Sequence, residues 1–145
     1  MYKHILIPTD GSGLAEKAIV GGIQFAKEIG AKVTGMTVTE PFHLLAISPS
    51  QLEYTRAEYS KHCQAHAEKI LKVVSAAAAG AGVACDTVHV EHEHPYQGII
   101  DMAIANGCDL IIMASHGRRG TAAIVLGSET VKVLTHSKIP VLVHR

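Results

Sequence analysis

The sequence predicts an α/β fold: a doubly wound, five-stranded parallel sheet of strand order 3-2-1-4-5 with helices on both faces. Three observations predict it. Short apolar runs alternate with longer amphipathic stretches along the whole chain, in the pattern β-α-β-α-β-α-β-α-β. The runs are apolar almost throughout, which marks strands buried on both faces, as in a parallel sheet. Right-handed crossovers between such strands favour winding in both directions from a central strand, and the order 3-2-1-4-5 is a natural outcome.

"HILIP" (4–8) is short, β-branched and closed by a proline, a buried strand. In "GSGLAEKAIVGGIQFAKEIG" the apolar or small residues at 15, 18, 19, 22, 23, 26 and 29 form a helical stripe. Ser12 is its expected N-cap and Gly30 the residue past its end. Gly21 and Gly22 each cost about 1 kcal/mol relative to alanine inside a helix, a cost that close packing on a sheet offsets. "AKVTGMTVTE" (31–40) is the second strand, and "PFHLLAISPS" a loop. Ser50 opens a long helix to about Ala79, with Leu52, Ile70, Leu71, Val73 and Val74 toward the core; Gly80 or Gly82 takes a positive φ at its end. "VACDTVHV" (83–90) is the third strand. His94-Pro95 reads as N-cap and first residue of a helix over "PYQGIIDMAIANG". "CDLIIMA" (108–114) is the fourth strand, a helix follows near 128–136, and Pro140 begins the last strand, "VLVHR".

A chain of 145 residues suits one domain, 1–145, with a real core. No apolar run approaches the ~18 residues of a membrane span, and "MYKHILIPTD" lacks a signal-peptide layout. Its 13 basic and 13 acidic residues cancel, which argues against a general nucleic-acid binder but leaves room for a small anion held by local positive potential. Cys63, Cys85 and Cys108 are odd in number and widely spaced, without a CxxC; Cys85 and Cys108 read as buried thiols, and the expectation is a reducing cytoplasm.

In a sheet of this order ligands bind beyond the carboxyl ends of the strands where the winding reverses, between the first and fourth. The loops leaving those strands, "PTDGSG" and "ASHGRRG", are among the most polar and glycine-rich of the chain. Gly127-Ser128 stands at a helix N-terminus, where unpaired amides and the helix dipole favour an anion. Gly117 allows a tight turn or a ligand's approach to the backbone. Ser115, Ser128 and Thr130 offer hydroxyls, Arg118 and Arg119 can grip phosphate, and Asp10 can accept from ribose hydroxyls or hold a phosphate-bound metal. Together they favour a nucleotide. Neither GxxxxGK[ST] nor GxGxxG is present, which sets aside a P-loop NTPase and a dinucleotide dehydrogenase. Turn glycines, an ordinary helix cap and solvated arginines are the plainer reading of the same residues.

The stretches "ILIPTDGS", "DLIIMASHGRRG", "LGSET" and "KIPVLVHR" carry a resemblance over essentially the whole chain: it is similar to the universal stress proteins. Their nucleotide-binding branch carries Gly-x2-Gly-x9-Gly-(Ser/Thr); here Gly117 is followed by nine residues and then Gly127 and Ser128. Ala114 stands in place of the first glycine, and Glu129 where the family usually has a small apolar residue. The resemblance implies the adenine nucleotide alpha hydrolase-like form of the fold and ATP or AMP as ligand, with Mg²⁺ as a candidate companion. It implies that Pro8, Thr9 and Asp10 line the adenosine side and that Val38 offers backbone groups to the adenine edge. Met113, Ala114, Ser115, His116 and Gly117 would wrap ribose and phosphates; Arg118, Arg119, Gly127, Ser128 and Thr130 would complete the phosphate end. It also implies a homodimer through the last strand, about 139–145, and a sensor or regulator in the stress response. Ala114 and Glu129 favour a rival, a member that binds no nucleotide and acts through dimer or partner contacts. A slow ATPase is a second rival, although no nucleophile, base and orienting group emerge together.

Ten histidines are many for this length. His62 and His66 share a helix face beside Cys63, and His92 and His94 share a strand face with His89 opposite. Neither set supplies the three or four ligands of a metal site, so no metal centre is expected. His116 lies inside the candidate loop as a donor to phosphate or a structural hydrogen-bonder. Leu52, Tyr54, Tyr59 and the 41–50 loop are expected to cover the site or the sheet.

Overall fold

A computed structural model describes residues 1–42, 56–117 and 125–145. The strands are β1 (His4–Pro8), β2 (Lys32–Thr39), β3 (Cys85–Glu91), β4 (Leu110–Ala114) and β5 (Val141–His144). The helices are α1 (Gly13–Ile29), α2 (Arg56–Ala81), α3 (Pro95–Ala105) and α4 (Ser128–His136). The sheet runs β3-β2-β1-β4-β5, every pair parallel, as expected.

Period-two alternation along the central strands divides the core into two layers. Ile5 and Ile7 of β1 and Leu110 and Ile112 of β4 face α1 and α2, where they meet Ile19, Ile23, Val74 and Ala78. Leu6, Ile111 and Met113 face α3 and α4, packing with Met36, Ile99, Ala103 and Val133. Each such aliphatic side chain, taken out of water, contributes roughly 1.5–3 kcal/mol. β1 and β4 are buried at every position, whereas β2, also flanked on both sides, is exposed at Lys32 and only partly buried at Val38 and Thr39.

Local signals set the helix ends. Ser12 Oγ accepts from the amide of Ala15 at 3.2 Å and opens α1. Gly30, at φ 71°, closes it, and the amide of Ala31 bonds back to Ala26 O at 2.9 Å. The same arrangement at Gly82 (φ 73°) ends α2 at Ala81, two residues beyond the expected Ala79, with Gly80 inside the helix. The paired glycines of α1 do bring the helix close: a methyl at 22 would meet Ile7 Cδ1 at 2.7 Å, and one at 21 the His144 ring at 2.7 Å. Pro95 opens α3, and His94 caps it without a side-chain bond. Ser50, Leu52 and Tyr54 lie outside the described residues.

One thiol departs from expectation. Cys108 is buried but Cys85 is only partly so, because β3 is an edge strand with one neighbour. Burial pushes the Cys108 thiol up to about 11, with Asp109 adding to the effect.

Candidate functional site

The loops leaving β1 and β4 diverge where the sheet changes winding direction, and a cleft of about 400 Å³ opens between them, within the size range of small-molecule sites. Its walls contain Pro8, Thr9, Asp10, Val38, Met113, Ala114, His116, Gly117, Gly127, Ser128 and Thr130. These are the described candidates of the sequence reading except Ser115; Arg118 and Arg119 lie outside the described residues.

The cleft has an apolar part and a polar part. Pro8, Met36, Val38, Ile99 and Met113 supply the apolar wall from three strands and α3. Sequence reasoning missed Ala15, Met36, Glu40, Pro95 and Ile99, and named Glu129 only as a feature against nucleotide binding. Met36 had a usable signal, since it lies two residues from Val38 and so shares its face of β2.

The polar part begins at Asp10. Its Oδ1 accepts from the amide of Ser12 at 2.9 Å, and Thr9 Oγ1 accepts from the amide of Gly11 at 3.2 Å, so the β1 loop is folded by its own side chains. Across the cleft, Gly117 passes so near this carboxylate that a methyl would lie 2.6 Å from Asp10 Oδ2. Gly117 is thus required by the Asp10 side chain, not only by a ligand. Gly127 answers to backbone: its amide donates to Ser115 O at 2.7 Å, and a methyl there would meet His116 Cα and Ser115 O at 3.2 Å. The two glycines let three chain segments converge.

Ala114 ends β4 in register with His144, so its backbone is ordinary strand and a glycine's positive φ is not needed there. Its carbonyl accepts from Thr130 Oγ1 at 3.0 Å, tying β4 to α4. Ser115 is buried and is not among the residues that line the cleft. Its amide donates to His144 O at 2.9 Å, and its Oγ lies 3.0 Å from His116 Nδ1. His116 is 8% exposed and its Nε2 is buried without a hydrogen-bond partner among the described residues.

Helix α4 starts at Ser128 on an N-cap, Gly127, that offers no side-chain bond. Its first amides are left as an anion-binding end that opens on the cleft. Glu129, in this first turn, is held by α3. Its Oε2 accepts from the amide of Tyr96 in the first turn of α3 at 2.8 Å, supplying the cap that His94 lacks, and Lys132 Nζ lies 3.5 Å from Oε1. At the far rim, Tyr59 of α2 donates its hydroxyl to Glu40 O at 2.7 Å, as expected of a residue that covers this end of the sheet.

The other described histidines stay apart from the cleft wall. His62 and His66 stack on exposed turns of α2 with centroids 6.5 Å apart, His89 bonds Thr39 Oγ1 at 2.8 Å, and His92 Nδ1 accepts from the amide of His94 at 2.8 Å. Among the described residues no group of three or more His, Cys, Asp or Glu is placed to hold a metal ion. No helix there is long and apolar enough to cross a membrane.

This architecture has known relatives. Universal stress protein MJ0531 of Methanocaldococcus jannaschii is 32% identical over 143 residues, covering 99% of this chain and 82% of its own. Hypothetical protein MJ0577, solved as a test case of structural genomics, aligns with a TM-score of 0.83 at 29% identity over 99% of this chain and 95% of its own. A universal stress protein solved in complex with cAMP shares the fold, with a TM-score of 0.72 at 24% identity over 99% of this chain and 97% of its own. The model of the universal stress protein family matches residues 1–145, the same span over which the strand order and the glycine-lined cleft were read. The chain belongs to the universal stress protein family.

Proposed function

We propose that this chain binds an adenine nucleotide, ATP or AMP, in the cleft between the β1 and β4 loops, and that it works as a homodimeric sensor or regulator in a cytoplasmic stress response. The observation that carries the reading is the side-chain-uncapped N-terminus of α4 at Gly127, opening on a cleft whose other part is apolar. One part suits phosphate, the other a base. The residues fit such a ligand: His116 Nε2 is a buried polar atom without a partner among the described residues, and Asp10 lines the cleft just beyond β1. The bound cAMP of a relative with this fold supports the ligand class.

On this reading Pro8, Val38 and Met113, with Met36 and Ile99, hold the base. Thr9, Asp10, Ala114, His116 and Gly117 surround the ribose. Gly127, Ser128 and Thr130 take the phosphate together with Arg118 and Arg119. Phosphate binding at Gly127 acts on β4 and β5 through the Ser115 bonds to Gly127 and His144. β5 is an edge strand with exposed Leu142, flanked by exposed Val131 and Leu134 of α4, and pairing with a second copy would cover this edge. Free Cys63, Cys85 and Cys108 suit a reducing compartment.

Calorimetric titration with AMP and with ATP, each with and without Mg²⁺, tests the reading. Saturable binding of one nucleotide per chain is expected. No heat at millimolar nucleotide under any of these conditions contradicts it, and favours the member that acts through protein contacts alone.

A further inference from the structure

Glu129 stands at the phosphate end of the cleft, where its charge bears on the length of the ligand's anionic tail. It follows Ser128 in the first turn of α4, whose amides are the cleft's anion-binding groups. Glu129 lines the cleft, and its carboxylate is held in place with Oε2 2.8 Å from the amide of Tyr96. The first turn of α3 gains an anion there while the positive end of α4 is offset by the same charge. The partner cation is weak compensation: Lys132 Nζ is 3.5 Å from Oε1 and its side chain is half exposed. Asp10 and Glu40 line the same cleft, and among the described residues no lysine or arginine does, Arg118 and Arg119 lying outside them.

Resting on the nucleotide reading above, we infer that Glu129 is a specificity-determining residue that restricts the cleft to nucleoside monophosphates and disfavours a metal-free triphosphate. A single phosphate can seat on the amides of α4 and stop. Each further phosphate adds negative charge near a carboxylate that cannot swing away without giving up the Tyr96 amide. Like charges held in partial shelter from water repel by an amount that salt reduces and a divalent cation cancels. The expected discrimination is about tenfold in Kd at low salt, a difference of about 1.4 kcal/mol.

The test measures Kd for AMP and ATP in EDTA, at low and at high salt, on the wild-type chain and on Glu129→Gln. Glutamine keeps an oxygen to accept from Tyr96, so a purely structural role leaves the ATP:AMP ratio unmoved. The wild type is expected to bind AMP about tenfold more tightly than ATP in EDTA, with the gap narrowing in salt and with Mg²⁺. Glu129→Gln is expected to close most of the gap by tightening ATP. ATP bound as tightly as AMP by the wild type, or a ratio unchanged in the variant while AMP still binds, overturns this inference alone. Binding of neither nucleotide by either protein overturns the nucleotide reading with it.

Discussion

A methyl group at position 117 would lie 2.6 Å from Asp10 Oδ2, and this contact decides what a substitution there does. Gly117→Ala forces the carboxylate or the loop to move, and overpacking of this kind costs roughly 1–3 kcal/mol. The clash is with one side chain, so Asp10→Ala should relieve it. Urea unfolding of the two single variants and the double variant forms a cycle in which Gly117→Ala is expected to cost clearly less when Asp10 is absent; equal costs in both backgrounds would place the strain elsewhere. Gly127 has no such remedy, because its neighbours are the backbone of Ser115 and His116. Both glycines were visible in the sequence as a spaced pair, and both do converge on the cleft. The reason each is glycine was not visible, since Asp10 and Gly117 are distant in sequence and meet only when β1 and β4 lie side by side. Ser115 shows the same limit. Its residue type suits a phosphate, but the direction of its hydroxyl is set by His116 and by the pairing of β4 with β5.

At the scale of elements, the strands and helices were legible because each carries its own period and punctuation: Ser12 and Gly30 bracket α1, and Pro95 opens α3. What was not legible depends on neighbours. Cys85 lies in an apolar run, yet its exposure follows from the edge position of β3. The capping of α3 by Glu129 of α4 needs the two helices packed together before it can be seen. The joins between strands at the opposite, amino-terminal end of the sheet predict a pH response. His4 of β1 is buried and its Nε2 lies 2.7 Å from Thr34 Oγ1 of β2. Burial, aided by the charge of Lys32 and only partly opposed by Asn106, Asp109 and Asp86, holds its pKa below 6.5. The folded chain therefore binds fewer protons at this site than the unfolded chain between the folded pKa and 6.5, and stability there rises with pH. The His4 contribution is complete above 6.5 and is lost as pH falls through the folded value. Asp109, beside it, continues the trend at lower pH: burial works against its charge, but the amides of His4 and Lys3 hold its pKa below 3.8. Denaturant midpoints from pH 8 to 5 should fall for the wild type and fall less for His4→Asn; parallel slopes would remove His4 from the account.

For the molecule as a whole, the two ends of the sheet divide the work. The amino-terminal ends are tied by His4, Thr34 and Asp109, which make strand-to-strand bonds. The carboxyl-terminal ends splay at the change of winding direction, and there the chain gathers glycines, a helix N-terminus and a buried ring nitrogen without a partner among the described residues. A second hollow, between α2 and β3, is lined by Ala65, Glu68, Lys69, Leu71, Lys72, Ser75 and Thr87, and no helix N-terminus opens on it. The central claim is that the ligand occupies the first of these places. Amide chemical shifts followed during an AMP titration test it most directly. The account predicts saturable shifts concentrated at Asp10, Val38, Gly117 and Gly127 through Thr130, with little change along α2 and β3. Shifts confined to α2 and β3, or none at millimolar AMP, would contradict it.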